Sequence, residues 1–148
     1  MAWHRIVDGA VVPARPAGLW TLVADFVPPV SLLKLVADPH DRWSYADSRE
    51  AICGPDGDRE TFLARTDCLC PAAPVGALIG KIGGSAAGEK DSAAFTVGSS
   101  CVIAVPDGGG PLFLTINDEF SGMENNSDSI TVTVYVRPAP RKADAATK

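Results

Sequence analysis

The chain has 148 residues, of which 46% are hydrophobic and 7% aromatic, and its formal net charge is −5 at pH 7. These values are ordinary for a globular domain, and the negative charge argues against nucleic acid as a partner, because phosphates select a basic surface. The apolar run over residues 75–80 ends at Lys81, far short of the ~20 residues that a membrane-spanning helix needs. We expect one domain over residues 1–136 and a flexible, proline- and alanine-containing tail over 137–148.

The hydrophobic pattern predicts strands along most of the chain. Helix signals are weak, because the best candidate, residues 32–36, follows a Pro-Pro pair and is closed by Pro39, which leaves too few residues for a stable helix. The predicted strands cover residues 20–23, 32–36, 76–82, 94–97, 100–105, 112–117 and 129–136. Short strands separated by glycine-rich breaks are typical of an all-β sandwich.

The first residues do not have the pattern of a secretion signal, because Asp8, Arg15 and Pro16 interrupt any apolar core segment. We therefore expect a protein that stays in the cytoplasm or is exported without a cleaved signal peptide.

The chain has four cysteines, and no histidine is grouped with any of them. They are Cys53, Cys68, Cys70 and Cys101. The spacing of Cys68 and Cys70, with one residue between them, is too short for zinc and thioredoxin-like motifs. We expect thiols that act as small hydrophobic side chains. A bridge from Cys53 to Cys68 or Cys70 remains open if the protein is exported.

A loop rich in oxygen-bearing side chains joins the last two predicted strands. Asp118 lies at the end of the first strand, and Asn125 and Asn126 precede the second. A strand fixes the direction of its side chains, so these three can converge on one point. Ca²⁺ takes about six to eight oxygens from carboxylates, amides, backbone carbonyls and water, and Gly122 offers an unobstructed carbonyl. The same residue types are common in plain surface turns, so composition alone does not decide between the two.

Two other acidic groups are weaker candidates for a site. Asp56, Asp58 and Glu60 have the spacing of an EF-hand start, but the required downstream Gly and bidentate Glu are missing. We expect Asp58, Arg59 and Glu60 to form a hydrogen-bonded corner beside the loop.

Glu119 and Glu124 flank the candidate ligands, and two carboxylates near a bound sugar can act as acid and base in glycoside hydrolysis. Nothing in the sequence sets their separation or raises the pKa of one of them. The chain also has no Ser-His-Asp or Cys-His arrangement around His4 or His40. We therefore expect a protein that is not an enzyme.

Three blocks of the sequence resemble the calcium-dependent galactose-binding bacterial lectins of the PA-IL (LecA) type. They are Gly-Pro-Asp-Gly-Asp-Arg-Glu at 54–60, Val-Gly-Ala-Leu-Ile-Gly-Lys-Ile-Gly at 75–83, and Leu-Thr-Ile-Asn-Asp at 114–118 followed by Asn-Asn-Ser at 125–127. A looser match, Trp-Ser-Tyr, ends at Tyr45. The blocks occur in the same order as in the lectins, and the resemblance covers residues 20–136.

This resemblance implies a jelly-roll-like β-sandwich of two antiparallel sheets that forms a homo-oligomer, either a tetramer or a dimer. It also implies one Ca²⁺ per subunit, to which two hydroxyls of a galactose-type sugar bind. The implied metal ligands are the side chains of Asp118, Asn125 and Asn126 and the backbone carbonyls of Gly122 and Tyr45. The implied sugar contacts are Asp118, Asn125, Gly122, Glu119 and Thr61.

The chain departs from the lectin pattern in three places. Gly122 replaces a Thr, and the spacer between Tyr45 and Gly54 is slightly longer. Thr61 and Ala64 occupy the positions of a His and a Gln that contact the sugar. Two functions therefore stay open. One is a calcium-dependent lectin, and the other is a structural or protein-interaction module that keeps the metal site but has lost galactose binding.

Overall fold

The structure of the protein, a computed structural model, describes residues 2–58, 68–85, 94–119 and 123–140. Within these residues the chain forms ten strands and two short 3₁₀ helices. The strands are β1 (His4–Pro13), β2 (Thr21–Val27), β3 (Ser31–Ala37), β4 (Trp43–Ser44), β5 (Ile52–Cys53), β6 (Leu78–Ile82), β7 (Phe95–Thr96), β8 (Ser100–Ala104), β9 (Gly110–Ile116) and β10 (Ser127–Pro138), and the helices are Arg49–Ala51 and Met123–Asn125. No helix in these ranges is long and apolar enough to cross a bilayer.

The strands form two antiparallel sheets. The first has the order β5-β4-β10-β3-β8, with β1 also paired to β10, and the second has the order β2-β9-β6-β7. All of these pairings are antiparallel. The predicted all-β sandwich is therefore confirmed. The long strand β10 organises the first sheet, because it pairs with β4 at its start and with β1 and β3 along the rest of its length.

The core lies between the two sheets and is formed by alternate residues of the strands of the first sheet. In β10 the side chains of Ile130, Val132 and Val134 are fully buried, whereas the residues between them are partly exposed. In β3, Leu33 and Leu35 face the same core. The period of two that the sequence shows for both segments is thus the consequence of one buried and one solvated face.

The central strands of the second sheet, β6 and β9, are buried on both faces, so they do not alternate in burial. All five residues of β6 are buried, including Lys81, whose exposed fraction is 1%. Lys81 Nζ donates to the Ser85 carbonyl at 2.7 Å and lies 4.7 Å from the centroid of the Trp20 ring and 5.4 Å from that of Phe113. Aromatic faces of this kind stabilise a cation that is removed from water.

The strands confirm one prediction about local structure and add a strand that the sequence pattern does not indicate. The segment 32–36 lies in β3, which confirms a strand over a helix there. β1 was not predicted from the sequence, and most of its residues are at least partly exposed, so it lacks the apolar pattern that identifies a half-buried strand. β10 also continues through Arg137 and Pro138, which pair with Leu32 and Ser31.

Cys53, Cys68 and Cys70 are buried and Cys101 is partly exposed, and Cys53, Cys70 and Cys101 are free thiols. Burial raises the pKa of Cys53 to about 12, with a smaller contribution from the negative charge of Asp58. Burial also raises the pKa of Cys101 to about 11 and shifts that of Cys70 upward. These three thiols are therefore protonated at neutral pH, as expected of cysteines that act as hydrophobic side chains.

Candidate metal and ligand site

The candidate site begins where β9 ends, at Asn117. The backbone of Asn117 continues the sheet beyond β9, because its N–H donates to the Ala77 carbonyl at 2.8 Å and its carbonyl accepts from the Gly76 N–H at 2.8 Å. These bonds fix the direction in which the chain leaves the strand. The next residue, Asp118, therefore starts from a rigid position.

The side chain of Asn117 is fully buried and holds the neighbouring loop in place. Its Oδ1 accepts from the Cys70 N–H at 2.9 Å, and its Nδ2 lies within donor distance of the carbonyls of Cys70, Ala73 and Pro74 at 2.8, 3.0 and 3.0 Å. The sequence pattern does not predict this structural role. The available signal was an Asn placed directly between a buried strand and the candidate carboxylate.

Asp118 is the candidate carboxylate ligand, and it is 7% exposed. Its Oδ1 accepts from the Glu119 N–H at 2.7 Å, and its backbone carbonyl accepts from the Leu69 N–H at 3.1 Å. Glu119 is half-buried and forms an isolated bridge with Cys68. Asp118 is therefore held between the end of β9 and the loop that Asn117 anchors. Buried carboxylates of this kind are normally paired or coordinate metals.

Asn126 is the candidate ligand with the most informative surroundings. It is 4% exposed, and its Nδ2 donates to the Ala14 carbonyl at 2.9 Å. This bond sets the orientation of the amide, because only the nitrogen end can donate to a carbonyl. The other end, Oδ1, is buried and has no hydrogen-bond partner within the described ranges. A buried acceptor left in this state costs about 1–3 kcal/mol, so the position is one at which a cation would be stabilising.

Tyr45 and Asn126 each adjoin the last pair of the β4–β10 ladder. Ser127 pairs with Ser44 in this antiparallel ladder, Tyr45 follows Ser44, and Asn126 precedes Ser127. The Tyr45 hydroxyl donates to Asp58 Oδ2 at 2.6 Å. Asp58 thus accepts from the residue whose carbonyl is a predicted ligand, whereas Arg59 and Glu60, its predicted partners in a hydrogen-bonded corner, lie outside the described residues.

Gly76 connects the β9 side of the site to the β4 side. Its N–H donates to Asn117, and its carbonyl accepts from Trp43 Nε1 at 2.7 Å. A Cβ at Gly76 would lie 2.6 Å from Cys53 Sγ and 2.9 Å from Tyr45 Cδ1, and its φ is +82°. The close approach requires glycine here. Through Gly76, the residue that precedes Asp118 is packed against the strand that carries Tyr45.

The remaining predicted site residues are at the surface or outside the described residues. Asn125 and Glu124 are exposed in the short helix before β10, and Arg15 Nη1 lies 3.5 Å from the Glu124 carbonyl. Gly122 and Thr61 lie outside the described residues. In the structure Asn126 and Tyr45 therefore adjoin the last pair of the β4–β10 ladder, Asp118 follows the end of β9 that contacts Gly76, and Asn125 is exposed.

The other acidic candidates have structural partners. Asp56 Oδ1 accepts from the Ser99 N–H at 2.8 Å and so ties its loop to the start of β8. Within the described ranges, no three His, Cys, Asp or Glu residues are grouped so that they could hold a metal. The predicted set at Asp118 differs in kind, because it combines one carboxylate with amide and backbone oxygens.

A shallow depression of about 430 Å³ lies beside the β4–β10 ladder. It is lined by Ser44 and Ser127, by the segment 46–49, by Ile52 and by Asp128. Since Ser44 and Ser127 are the neighbours of Tyr45 and Asn126, the depression adjoins the candidate site.

The two antiparallel sheets, with the candidate site at the end where β9 and β10 are joined, give this chain the fold of a β-sandwich. Among solved structures it is similar to the EclA N-terminal domain, a PllA-like lectin, with a TM-score of 0.64 and 20% sequence identity over 90% of this chain and 98% of that chain. No protein-family model and no curated protein matches the sequence. The likeness shows the fold that the two chains share.

Proposed function

We propose that this protein is a carbohydrate-binding lectin in which a Ca²⁺ ion at the 117–126 loop holds the sugar. The observation that carries the proposal is Asn126 Oδ1, a buried oxygen without a hydrogen-bond partner among the described residues. It occurs at a position where the sequence resemblance implies a calcium ligand. The shared fold with a lectin domain supports the same assignment.

The donor chemistry of the site fits calcium. The side chains of Asp118, Asn125 and Asn126 and the carbonyl of Tyr45 would hold the ion, together with the Gly122 carbonyl implied by the sequence. All of these donors are oxygens, which suits a hard cation better than zinc or copper. Because only one of them is a carboxylate, the bound ion keeps a net positive charge, and it would supply open positions for two vicinal sugar hydroxyls.

The expected ligand is galactose or a related sugar, bound more weakly than in the PA-IL type lectins. Thr61 and Ala64 stand where those lectins have a His and a Gln that contact the sugar, and each lost polar contact costs about 1 kcal/mol. The depression beside Ser44 and Ser127 gives room for a second residue of a longer glycan. Its polar lining, with an apolar patch at Ile52, suits the mixed surface of a sugar ring.

The second candidate function is a structural or protein-interaction module that keeps the metal site and has lost galactose binding. The observation in its favour is the replacement at Thr61 and Ala64, which removes polar groups from the sugar side of the site but leaves the metal ligands.

Isothermal titration separates these functions. The protein is first titrated with CaCl₂, and the calcium-loaded and EDTA-treated forms are then titrated with galactose and with a galactose-terminated disaccharide. A heat of sugar binding that is measured with calcium and disappears after EDTA treatment supports the lectin function. Calcium binding without sugar binding supports the second function. Failure to bind calcium at all would show that the 117–126 loop is a plain surface turn.

A further inference from the structure

The strand β8 forms one end of the first sheet, and its outer edge is open among the described strands. β8 follows β3 at the end of the order β5-β4-β10-β3-β8. Its residues and their neighbours, from Thr96 to Pro106, include no charged side chain. An edge strand of this kind presents a row of backbone N–H and C=O groups that can pair with another strand.

The hydrogen bonds at both ends of β8 establish which backbone groups face outward. At one end the Ala37 N–H donates to the Ser99 carbonyl at 2.9 Å, and at the other the Val105 N–H donates to the Ser31 carbonyl at 2.9 Å. In an antiparallel ladder, hydrogen-bonded and non-hydrogen-bonded pairs alternate. Every second residue counted from Ser99 therefore bonds to β3, and the residues between them turn their backbone groups away from it.

The outward-facing residues are Ser100, Val102 and Ala104. All three are exposed, and 55% of the Val102 surface is accessible. The two residues between them, Cys101 and Ile103, point toward the core but are only partly buried. The edge of β8 therefore combines an unused set of backbone groups with two core side chains that are incompletely covered.

The other sheet ends have features that oppose edge pairing, and β8 has none of them. β5 and β7 are two residues long. β1, the edge strand beyond β10, has register shifts against β10 and carries Arg5 and Asp8, and β2 has register shifts against β9 and carries Asp25. Short length, bulges and charges are the usual protections of an edge strand. The pairing of β8 with β3 is regular over all five of its residues, so this edge is the one suited to binding.

We propose that β8 pairs antiparallel with β8 of a second copy of this chain, about a two-fold axis at Val102. Val102 then faces Val102 of the second copy, and Ser100 faces Ala104, so the outward N–H and C=O groups form about six hydrogen bonds. An isologous contact must be self-complementary. Charged side chains on this strand would meet their own copies at the axis, and the uncharged sequence avoids that repulsion. The added strand also covers Cys101 and Ile103.

The pairing is tested first by sedimentation equilibrium of the full chain and of V102P. The Val102 N–H is not used by β3, so proline at this edge position is compatible with the subunit fold, which circular dichroism and the melting temperature check independently. We expect the wild type to assemble, and V102P to lose the assembly or to form one of half the size. A monomeric wild type, or an assembly whose size V102P leaves unchanged, would overturn the proposal.

Cysteine cross-linking tests the position of the axis. In a C101S background, V102C places two thiols at facing positions, about 5.5 Å apart between Cα atoms, which is within disulfide range. V11C is the matched control, because Val11 is 60% exposed on β1, away from this edge. We expect a disulfide-linked dimer for V102C after mild oxidation and little for V11C. Equal yields for the two variants would place the contact elsewhere.

Discussion

Asn117 and Cys70 form a reciprocal pair of hydrogen bonds although they are 47 residues apart in the chain. The Cys70 N–H donates to Asn117 Oδ1 at 2.9 Å, and Asn117 Nδ2 donates to the Cys70 carbonyl at 2.8 Å. The Asn117 side chain thus bonds the backbone N–H and carbonyl of Cys70 as a neighbouring strand would, and it attaches the 68–77 loop to the end of β9. The candidate carboxylate at Asp118 is positioned by a neighbour that is not itself a predicted ligand.

Replacement of Asn117 by alanine is expected to destabilise the protein strongly. The change removes the buried hydrogen bonds of the amide and leaves the backbone groups of the loop without partners, so the free energy of unfolding should fall by about 3 kcal/mol. Urea denaturation in EDTA measures this difference. N125A is the control, because Asn125 is exposed and its replacement should change stability by less than about 0.5 kcal/mol. Equal stability of the two variants would contradict the anchoring role.

Replacement of Asp118 by asparagine is expected to weaken calcium binding on the order of 100-fold, since the number of charged ligands sets the affinity of such sites. The side chain keeps its shape and can still accept from the Glu119 N–H, so the fold should persist. D128N is the matched control, because it removes the same charge from an exposed residue near the site. Calcium titration that finds equal losses for both variants would indicate a general charge effect.

Replacement of Gly76 by alanine is expected to disturb both the fold and the site. The new Cβ would contact Cys53 and Tyr45 at a residue with positive φ. We expect the free energy of unfolding to fall by about 2–4 kcal/mol and calcium binding to weaken. Gly83 provides the control, because its φ is +97° but its Cβ would have no neighbour within 4 Å. G83A should lower the free energy of unfolding only by the cost of placing alanine at a positive φ, about 1–2 kcal/mol. Similar losses would mean that packing at Gly76 is unimportant.

The buried thiol of Cys53 is expected to make stability depend on pH at alkaline values. Its pKa is about 12 in the folded protein and 9.0 in the reference state. Because folding favours the protonated form, this contribution is fully present below pH 9 and is lost as the pH rises toward 12. Urea midpoints at pH 8 and pH 10.5 measure the loss. In C53A the urea midpoint should fall less between pH 8 and pH 10.5 than in the wild type. An identical fall in the two proteins would assign the pH dependence to other groups.

The double change T61H with A64Q tests the sugar side of the site. It restores the two polar residues of the PA-IL type pattern, and each restored hydrogen bond should strengthen galactose binding by about 1 kcal/mol. Titration with galactose in saturating calcium measures the change, and T61A with A64G is the control without the added polar groups. An unchanged affinity in T61H with A64Q would mean that this loop does not contact the sugar.

The sequence predicted the strands that carry a regular pattern and missed those that do not. β3 and β10 alternate because one face is buried, and the buried strands β6 and β9 are mainly apolar, with Lys81 and Thr115 as their polar residues. β1 is interrupted by Asp8 and Gly9 and is mostly exposed, so its pairing with β10 depends on backbone hydrogen bonds that leave little trace in the residue pattern.

The candidate site was predictable in its residue types but not in its supports. Asp118 and Asn126 were identified because oxygen donors cluster between two strands. The anchoring of the loop by Asn117 and the close packing of Gly76 on Tyr45 depend on contacts between residues distant in the chain. Hydrophobic periodicity and local spacing contain no information about such contacts.

The direction of β8 has a consequence for the way in which a paired dimer would meet its targets. Ser100 lies beside Val36, toward the end of the sandwich where β10 begins, and Ala104 lies beside Leu32, toward the opposite end. Antiparallel pairing therefore turns the two candidate sites in opposite directions. Two sites that face one way strengthen attachment to a single surface, whereas sites that face apart would join two separate sugar-bearing particles and cause them to agglutinate.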